Sequence, residues 1–300
     1  MQHKSSIITF SCWLLTYLLT AQSVDKISSG EVKQLLKKLN ILGSVLYVAA
    51  HPDDENTRLI AYYANEKLFN TAYLSATRGD GGQNLIGPEI RENLGLIRTH
   101  ELLAARRTDG GTQFFSRAND FGYSKNPDET LSIWNKEKVL EDFVRVIRTV
   151  KPDVIITRFN TVSGITHGHH TTSALLTLEA FDLAGDSSVY PDQLRTLEVW
   201  QPKNLFWNTS SWYYSNNQIK FNPEGLYSIN VGTYNPYLGV SYTEMAARSR
   251  SMHKSQGFGS IGSRGDELEY LELLRGDLSL IHISEPTRPL YSSYAVFCLK

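Results

Sequence analysis

A largely apolar run that ends abruptly in charge constrains this chain more than any other feature. Residues 41–47 lead through Val48-Ala49-Ala50 into His51-Pro52-Asp53-Asp54-Glu55-Asn56. Bounded by a turn, such a run reads as a buried strand, and strands buried on both faces belong to parallel sheets covered by helices. Carboxylates crowded at the end of a buried strand are costly unless a cation accompanies them.

The same theme recurs along the sequence. Residues 28–39 form an amphipathic pattern with Val32, Leu35, Leu36 and Leu39 on one side. Residues 55–67 place Leu59, Ile60 and Tyr63 at helical spacing, and residues 71–77 read as a second strand, broken by the glycines of Arg78-Gly79-Asp80-Gly81-Gly82-Gln83. Residues 90–108 are the clearest helix, closed by Gly110-Gly111. A short strand at 113–115 and a polar loop at 119–130 precede a helix at 135–150, which stops at Pro152. Residues 153–159 are a β-branched strand, and 171–183 are a helix. Between 200 and 242 the composition turns aromatic, with Trp207, Trp212, Tyr213, Tyr214, Tyr227, Tyr234 and Tyr237 read as sheet core rather than a sugar-stacking belt. Helices at 242–254 and, starting near 267, at 267–275 complete the pattern. Alternating strands and helices imply an α/β fold whose mostly parallel sheet carries helices on both faces.

A formal net charge of −1 lacks the basic excess of nucleic-acid-binding domains. The expected partner is a small molecule or glycan, with no nucleic acid. Residues 1–23 combine His3 and Lys4, an apolar stretch at 7–19 and Ala21-Gln22-Ser23, the layout of a secretory signal. That stretch is short of the roughly 20 apolar residues a span requires, so export to the periplasm or the exterior is expected, with no stable membrane span after cleavage. Residues 278–300 open on Leu278-Ser279-Leu280-Ile281-His282-Ile283-Ser284-Glu285-Pro286-Thr287-Arg288, which reads as an in-frame translation of a sequencing-library adapter. The working domain is therefore expected over 24–277, cut short on its C-terminal side. The two cysteines, Cys12 and Cys298, fall in the leader and the tail, so neither a disulfide scaffold nor a thiolate zinc site is expected.

Ligands of open α/β sheets gather beyond the carboxyl ends of the strands. Two such ends carry chemistry: His51, Asp53 and Asp54 after the first strand, and His167, His169 and His170 after the 153–159 strand. Imidazole and carboxylate without thiolate suit zinc, and a catalytic site needs three protein ligands plus an open position. His51, Asp54 and one histidine of the later cluster would supply them. Asp53 is the candidate base, because consecutive turn residues point differently. His167 and His170, three apart on a helix start, share a face, so one can ligate while the other touches a substrate carbonyl. Arg98 and Glu101 read as a surface ion pair, His100 as solvated, Asp80 as a tight turn, and His253 with Gln256 as a polar helix end. Two rival readings are a metal-dependent phosphoesterase and a carbohydrate-binding protein with a degenerate metal site.

Ala50-His51-Pro52-Asp53-Asp54-Glu55 resembles the signature of the PIG-L or LmbE-like N-acetylglucosaminyl deacetylases. Arg98-x-x-Glu101, His167-x-x-His170 and His253-x-Ser255-Gln256 extend the resemblance in consistent order over residues 44–258. The resemblance implies a Rossmann-like α/β fold and Zn2+-dependent removal of an acetyl group from an N-acetylated amino sugar or related amide. By motif position it implies His51, Asp54 and His170 as zinc ligands and Asp53 as the general base acting on metal-bound water. It also implies His167 as the group polarising the amide carbonyl and Arg98 as a sugar contact. The chain departs from the pattern where the family commonly reads His-Pro-Asp-His: Gly168 and His169 fill the middle. Ile165 stands where some members place a Tyr.

Overall fold

In the computed structural model, which describes residues 27–277, five parallel strands form the centre of a seven-stranded sheet. They are β1 (Ser44–Ala49), β2 (Asn70–Ser75), β3 (Thr112–Phe115), β4 (Val154–Thr157) and β5 (Asn204–Thr209), in the order β3-β2-β1-β4-β5. Next to β5 lies β9 (Leu268–Arg275), antiparallel to it and to the edge strand β6 (Tyr227–Asn230). The short strands β7 (Tyr234–Asn235) and β8 (Val240–Ser241) pair separately. Helices α1 (Ser29–Lys38), α2 (Thr57–Asn65), α3 (Glu92–Asp109), α4 (Pro127–Ile133), α5 (Lys136–Val150), α6 (Gly168–Leu183), α7 (Ser211–Asn216) and α8 (Tyr242–Arg250) connect and cover the strands.

Alternation within β1 builds two cores. Val45, Tyr47 and Ala49 pack with α2, Leu102 of α3 and Met245 and Ala246 of α8. Leu46 and Val48 face the other way, onto Val139, Phe143 and Ile147 of α5 and Leu176 and Ala180 of α6. Each large apolar side chain buried this way contributes roughly 1.5–3 kcal/mol, and the one polar group in β1 between Val45 and Ala49, the Tyr47 hydroxyl, is buried with a partner in Asn208 Oδ1. The α/β expectation of a mostly parallel sheet with helices on both faces holds.

Local signals set the element ends. Asn56 caps α2 by accepting from the Arg58 and Leu59 N–H groups, and Asn135 caps α5. Gly110, at φ 83°, closes α3.

Three expectations differ. Residues 267–275 are the strand β9, not a helix: Glu269 and Leu271 both point inward, and the buried Glu269 carboxylate, 2.6 Å from Arg58 Nη2, disguises the alternation. The polar segment 119–130 runs into α4, because Asn126 caps it and Pro127 occupies the first turn, where its missing N–H costs nothing. Helix α6 starts at Gly168, three residues earlier than expected. Trp207 is buried as sheet core, whereas Tyr234 and Tyr237 are exposed. The expected helix α1 forms, with Val32, Leu35, Leu36 and Leu39 exposed. Among the described residues no helix is long and apolar enough to cross a membrane. The leader, the adapter-like tail and both cysteines lie outside the described residues.

Candidate metal centre

The strand order reverses between β1 and β4, so the chain leaves both strands at one crevice. Into it project the two clusters. Asp54 closes the turn after β1: its Oδ2 accepts the His51 backbone N–H at 2.7 Å and lies 3.0 Å from His51 Nδ1. Its Oδ1 is 3.5 Å from His170 Nε2. Ring nitrogens of His51, His167 and His170 approach one another within 4.8 Å, and a second grouping joins His51 to Asp120 and His169.

Such a convergence of imidazole and carboxylate fits a zinc-type ion. Burial pushes His167 down to about 4 and His170 to about 3, leaving both rings neutral, as ligation requires. Burial also works against ionised Asp54, but His170 and His51 outweigh it and hold the carboxyl below its ordinary range. For His51, burial is overcome by the hydrogen bond and charge of Asp54, which raise it. Phe159 stacks on His170 at 3.8 Å and 7°, fixing the ring's plane.

Asp53 sits on a strained backbone, with φ 95°, a conformation costing on the order of 1–3 kcal/mol outside glycine. Its N–H donates to Glu55 Oε2 at 2.9 Å, and its carbonyl accepts from Arg250 Nη1 at 2.9 Å. Burial, then the Asp54 charge, pushes its carboxyl well above the usual carboxylate range, while Arg98 pulls the other way. A dication on the neighbouring ligands would oppose that rise.

Glu55 anchors this turn from below. It lies 2.7 Å from His253 Nε2 and 3.3 Å from Arg106 Nη2. Arg106 in turn pairs with Asp109 at 2.6 Å, and Ser249 donates to Asp109 at 2.5 Å. All five side chains are buried, so His253 is part of an interior charge network rather than a polar helix end. Its partner lies 198 positions away, beyond the reach of local sequence patterns.

His169 does not serve His167 as the family's carboxylate would. Its Nδ1 lies 3.0 Å from His51 Nε2 and 3.8 Å from Asp120 Oδ1. The ring is fully buried, stacked on Trp134 at 5.0 Å and edge-on to Phe121 at 4.3 Å. Gly168 makes this possible: a Cβ there would overlap Asn126 O, Ser124 Oγ and Thr130 Oγ1. His167 Nδ1 has no hydrogen-bond partner.

Arg98 stands apart from the converging donors. It is buried beneath the glycine-rich turn, donating to Gly79 O at 3.2 Å, and a Cβ at Gly79 or Gly82 would overlap its guanidinium. It does not pair with Glu101, which instead accepts from Ser255 N–H and Oγ, each at 2.6 Å. The expected surface ion pair is therefore absent; His100 is exposed, as expected.

A cavity of about 540 Å³ opens beside Asp53, Asp54 and His170, and is lined also by Arg158, Phe159 and Arg250. A larger hollow of about 800 Å³ reaches Asp120 but contains none of the expected site residues. Asp54 and His170, two of the converging donors, line the smaller one.

Residues 46–181 match the family model described as PIG-L: GlcNAc-PI de-N-acetylase. The chain carries a PIG-L (LmbE-like) domain. A mycothiol S-conjugate amidase of Streptomyces coelicolor is 27% identical over 179 residues, 55% of this chain and 60% of that protein, so this chain spans less than two thirds of it. Two solved structures share the PIG-L chain's fold at 15% identity. The 4-carboxy-2-hydroxymuconate hydratase GalB of Pseudomonas putida KT2440 gives a TM-score of 0.53, covering 79% of this chain and 98% of its own. The N,N'-diacetylchitobiose deacetylase of Pyrococcus horikoshii gives 0.51, covering 78% and 81%. One scaffold thus carries a hydratase and a deacetylase, and function must be argued from the site.

Proposed function

We propose that this PIG-L protein is an exported, zinc-dependent hydrolase that removes an acetyl group from an N-acetylated amino sugar or a related small amide. The observation that carries the reading is the meeting of His51, Asp54 and His170 beside a cavity that also holds Asp53. The family's description as a GlcNAc-PI de-N-acetylase and the amidase relative support amide hydrolysis over phosphoester cleavage.

His51, Asp54 and His170 would hold the zinc. When bound, the ion supplies Lewis acidity and lowers the pKa of an attacking water. Asp53, held on its strained turn at both backbone ends, would take a proton from an attacking water. His167, neutral at working pH because burial lowers it to about 4, donates a hydrogen bond to the developing oxyanion. Arg98 contributes by charge to Asp53 and by shaping the glycine-rich turn at which the sugar docks.

Purified protein tests this directly, through zinc stoichiometry and acetate release from N-acetylglucosamine derivatives. One zinc per chain with acetate release is expected. Phosphate release from an aryl phosphate without acetate release would overturn the reading, as would glycan binding that survives a chelator without turnover. Export is checked by sequencing the mature N-terminus, expected near Ala21 or Ser23.

A further inference from the structure

The cavity beside the metal residues is lined by guanidinium donors that neither zinc binding nor deacetylation uses. Seven ionisable side chains line it: Asp53, Asp54, Glu55, Arg58, Arg158, His170 and Arg250. Glu55 is neutralised from behind by Arg106 and His253. Arg58 is held by two carboxylates, Glu267 at 2.5 Å and Glu269 at 2.6 Å. That leaves two guanidiniums, Arg158 and Arg250, among the lining side chains.

Neither guanidinium is ion-paired among the described residues. Arg158 leaves the end of β4, lies against the Tyr47 hydroxyl and donates to Asn208 Oδ1 at 3.4 Å. That oxygen already accepts from Tyr47 Oη at 2.9 Å and Asn56 Nδ2 at 3.0 Å. An amide oxygen has two lone pairs, so Arg158 is the third and weakest donor and keeps most of its five N–H groups unspent. Glu269 and Asp54 influence it by charge, but Glu269 is held by Arg58 and Asn208, and Asp54 by His51 and His170. Arg250 donates to Asp53 O and lies over Phe258 at 4.0 Å. Guanidiniums lining a half-enclosed cavity with unused donors match carboxylate or phosphate.

We infer that Arg158, seconded by Arg250, forms an anion-binding subsite, so that the substrate is an N-acyl compound bearing a carboxylate or phosphate. The inference rests on the amidohydrolase reading for the position of the scissile amide, but the subsite itself can be measured by binding alone.

Three probes separate the cases: N-acetylglucosamine, N-acetylmuramic acid, and N-acetylglucosamine phosphorylated on its primary hydroxyl. Zinc-loaded protein should show kcat/KM roughly tenfold to hundredfold higher for at least one acidic probe than for the neutral one. The two acidic arms distinguish carboxylate from phosphate. Arg158→Met should collapse that ratio through KM. Arg158→Lys, which keeps the charge but loses the fork, should retain part of it and serves if the Met variant does not fold. Calorimetric titration with the deacetylated acidic and neutral sugars reads the same preference without turnover. Acid preference in binding with no acetate release from any probe would uphold the subsite and sink the deacetylase reading. Equal binding and turnover of acidic and neutral probes, or a ratio unchanged in both Arg158 variants, would overturn the subsite.

Discussion

His169 gives the sharpest test of how the metal centre is held. A ligating imidazole presents one nitrogen to the ion and donates from the other, and the partner of that donor fixes tautomer and ring plane. With His51 Nδ1 turned to Asp54, its Nε2 lies 3.0 Å from His169 Nδ1. His169 must then accept, which places its own hydrogen on Nε2, packed between Trp134 and Phe121 and without a partner. His169→Leu keeps apolar volume in this fully buried position and removes the acceptor. Loss of such an orienting partner typically weakens metal binding about 10–100-fold, equivalent to about 1.4–2.7 kcal/mol. His169→Asn offers an amide oxygen at a similar reach and should recover most of the loss. Competition of apo protein against a fluorescent zinc chelator measures both, with a thermal melt confirming the fold. Wild-type affinity in the Leu variant would refute the orienting role. A loss far beyond a hundredfold, repeated in Asp120→Asn, would show instead that His51, Asp120 and His169 form the ligand set.

Four further outcomes follow from the same geometry. Asp53→Asn should keep zinc yet lose acetate release by roughly 10²–10⁴-fold, whereas His51→Ala should lose both; full turnover in the Asn variant removes the proposed base. Asp53→Gly should abolish turnover while stabilising the fold by about 1 kcal/mol, since glycine adopts φ 95° freely; a lower melting temperature would contradict the strain. Arg106→Met strands Glu55 and Asp109 without their guanidinium and should cost about 3–5 kcal/mol by chemical denaturation. Burial opposes ionised Glu55, but His253 and Arg106 hold it at about 2 against an ordinary 4.5. Because the unfolded state binds that proton first, its stabilisation is complete above pH 4.5 and fades as pH falls toward 2, so Glu55→Gln should flatten the acid limb of the melting curve.

The parallel sheet was legible because β1 and β4 are apolar on both faces, and only helices above and below can cover such strands. The two chemical clusters were legible for a related reason: polar residues immediately after a buried strand have nowhere to go but the carboxyl-end crevice. What stayed hidden depends on residues that meet across the fold. Glu269 reads as a solvated helix residue until Arg58, more than two hundred positions away, is seen beside it. Glu55 and His253 each have an ordinary local reading, a helix-start charge and a helix end, and only α8 crossing α2 and α3 makes them one buried pair. Arg98 is the converse case, since its spacing from Glu101 invites an ion pair that the glycine-rich turn prevents by enclosing the guanidinium.

His169 shows most plainly why spacing fixes a position but not a partner. At the start of α6 the histidines at 167 and 170 face the crevice together, as their three-residue spacing requires, and the intervening residue is turned toward the interior. A carboxylate buried there would need a charged partner. An imidazole needs only one acceptor role and an apolar slot, and Trp134 and Phe121 provide that slot. Gly168 is its structural companion, because the backbone that lets His169 reach His51 lies against Ser124 and Asn126 too closely for any side chain. Gly168 and His169 are therefore coupled in this structure, the bare backbone at one position letting the imidazole at the next reach its slot. Restoring Asp at 169 alone should leave a buried carboxylate against Trp134 and weaken the fold, whereas its effect on zinc reports whether His51 accepts the new partner.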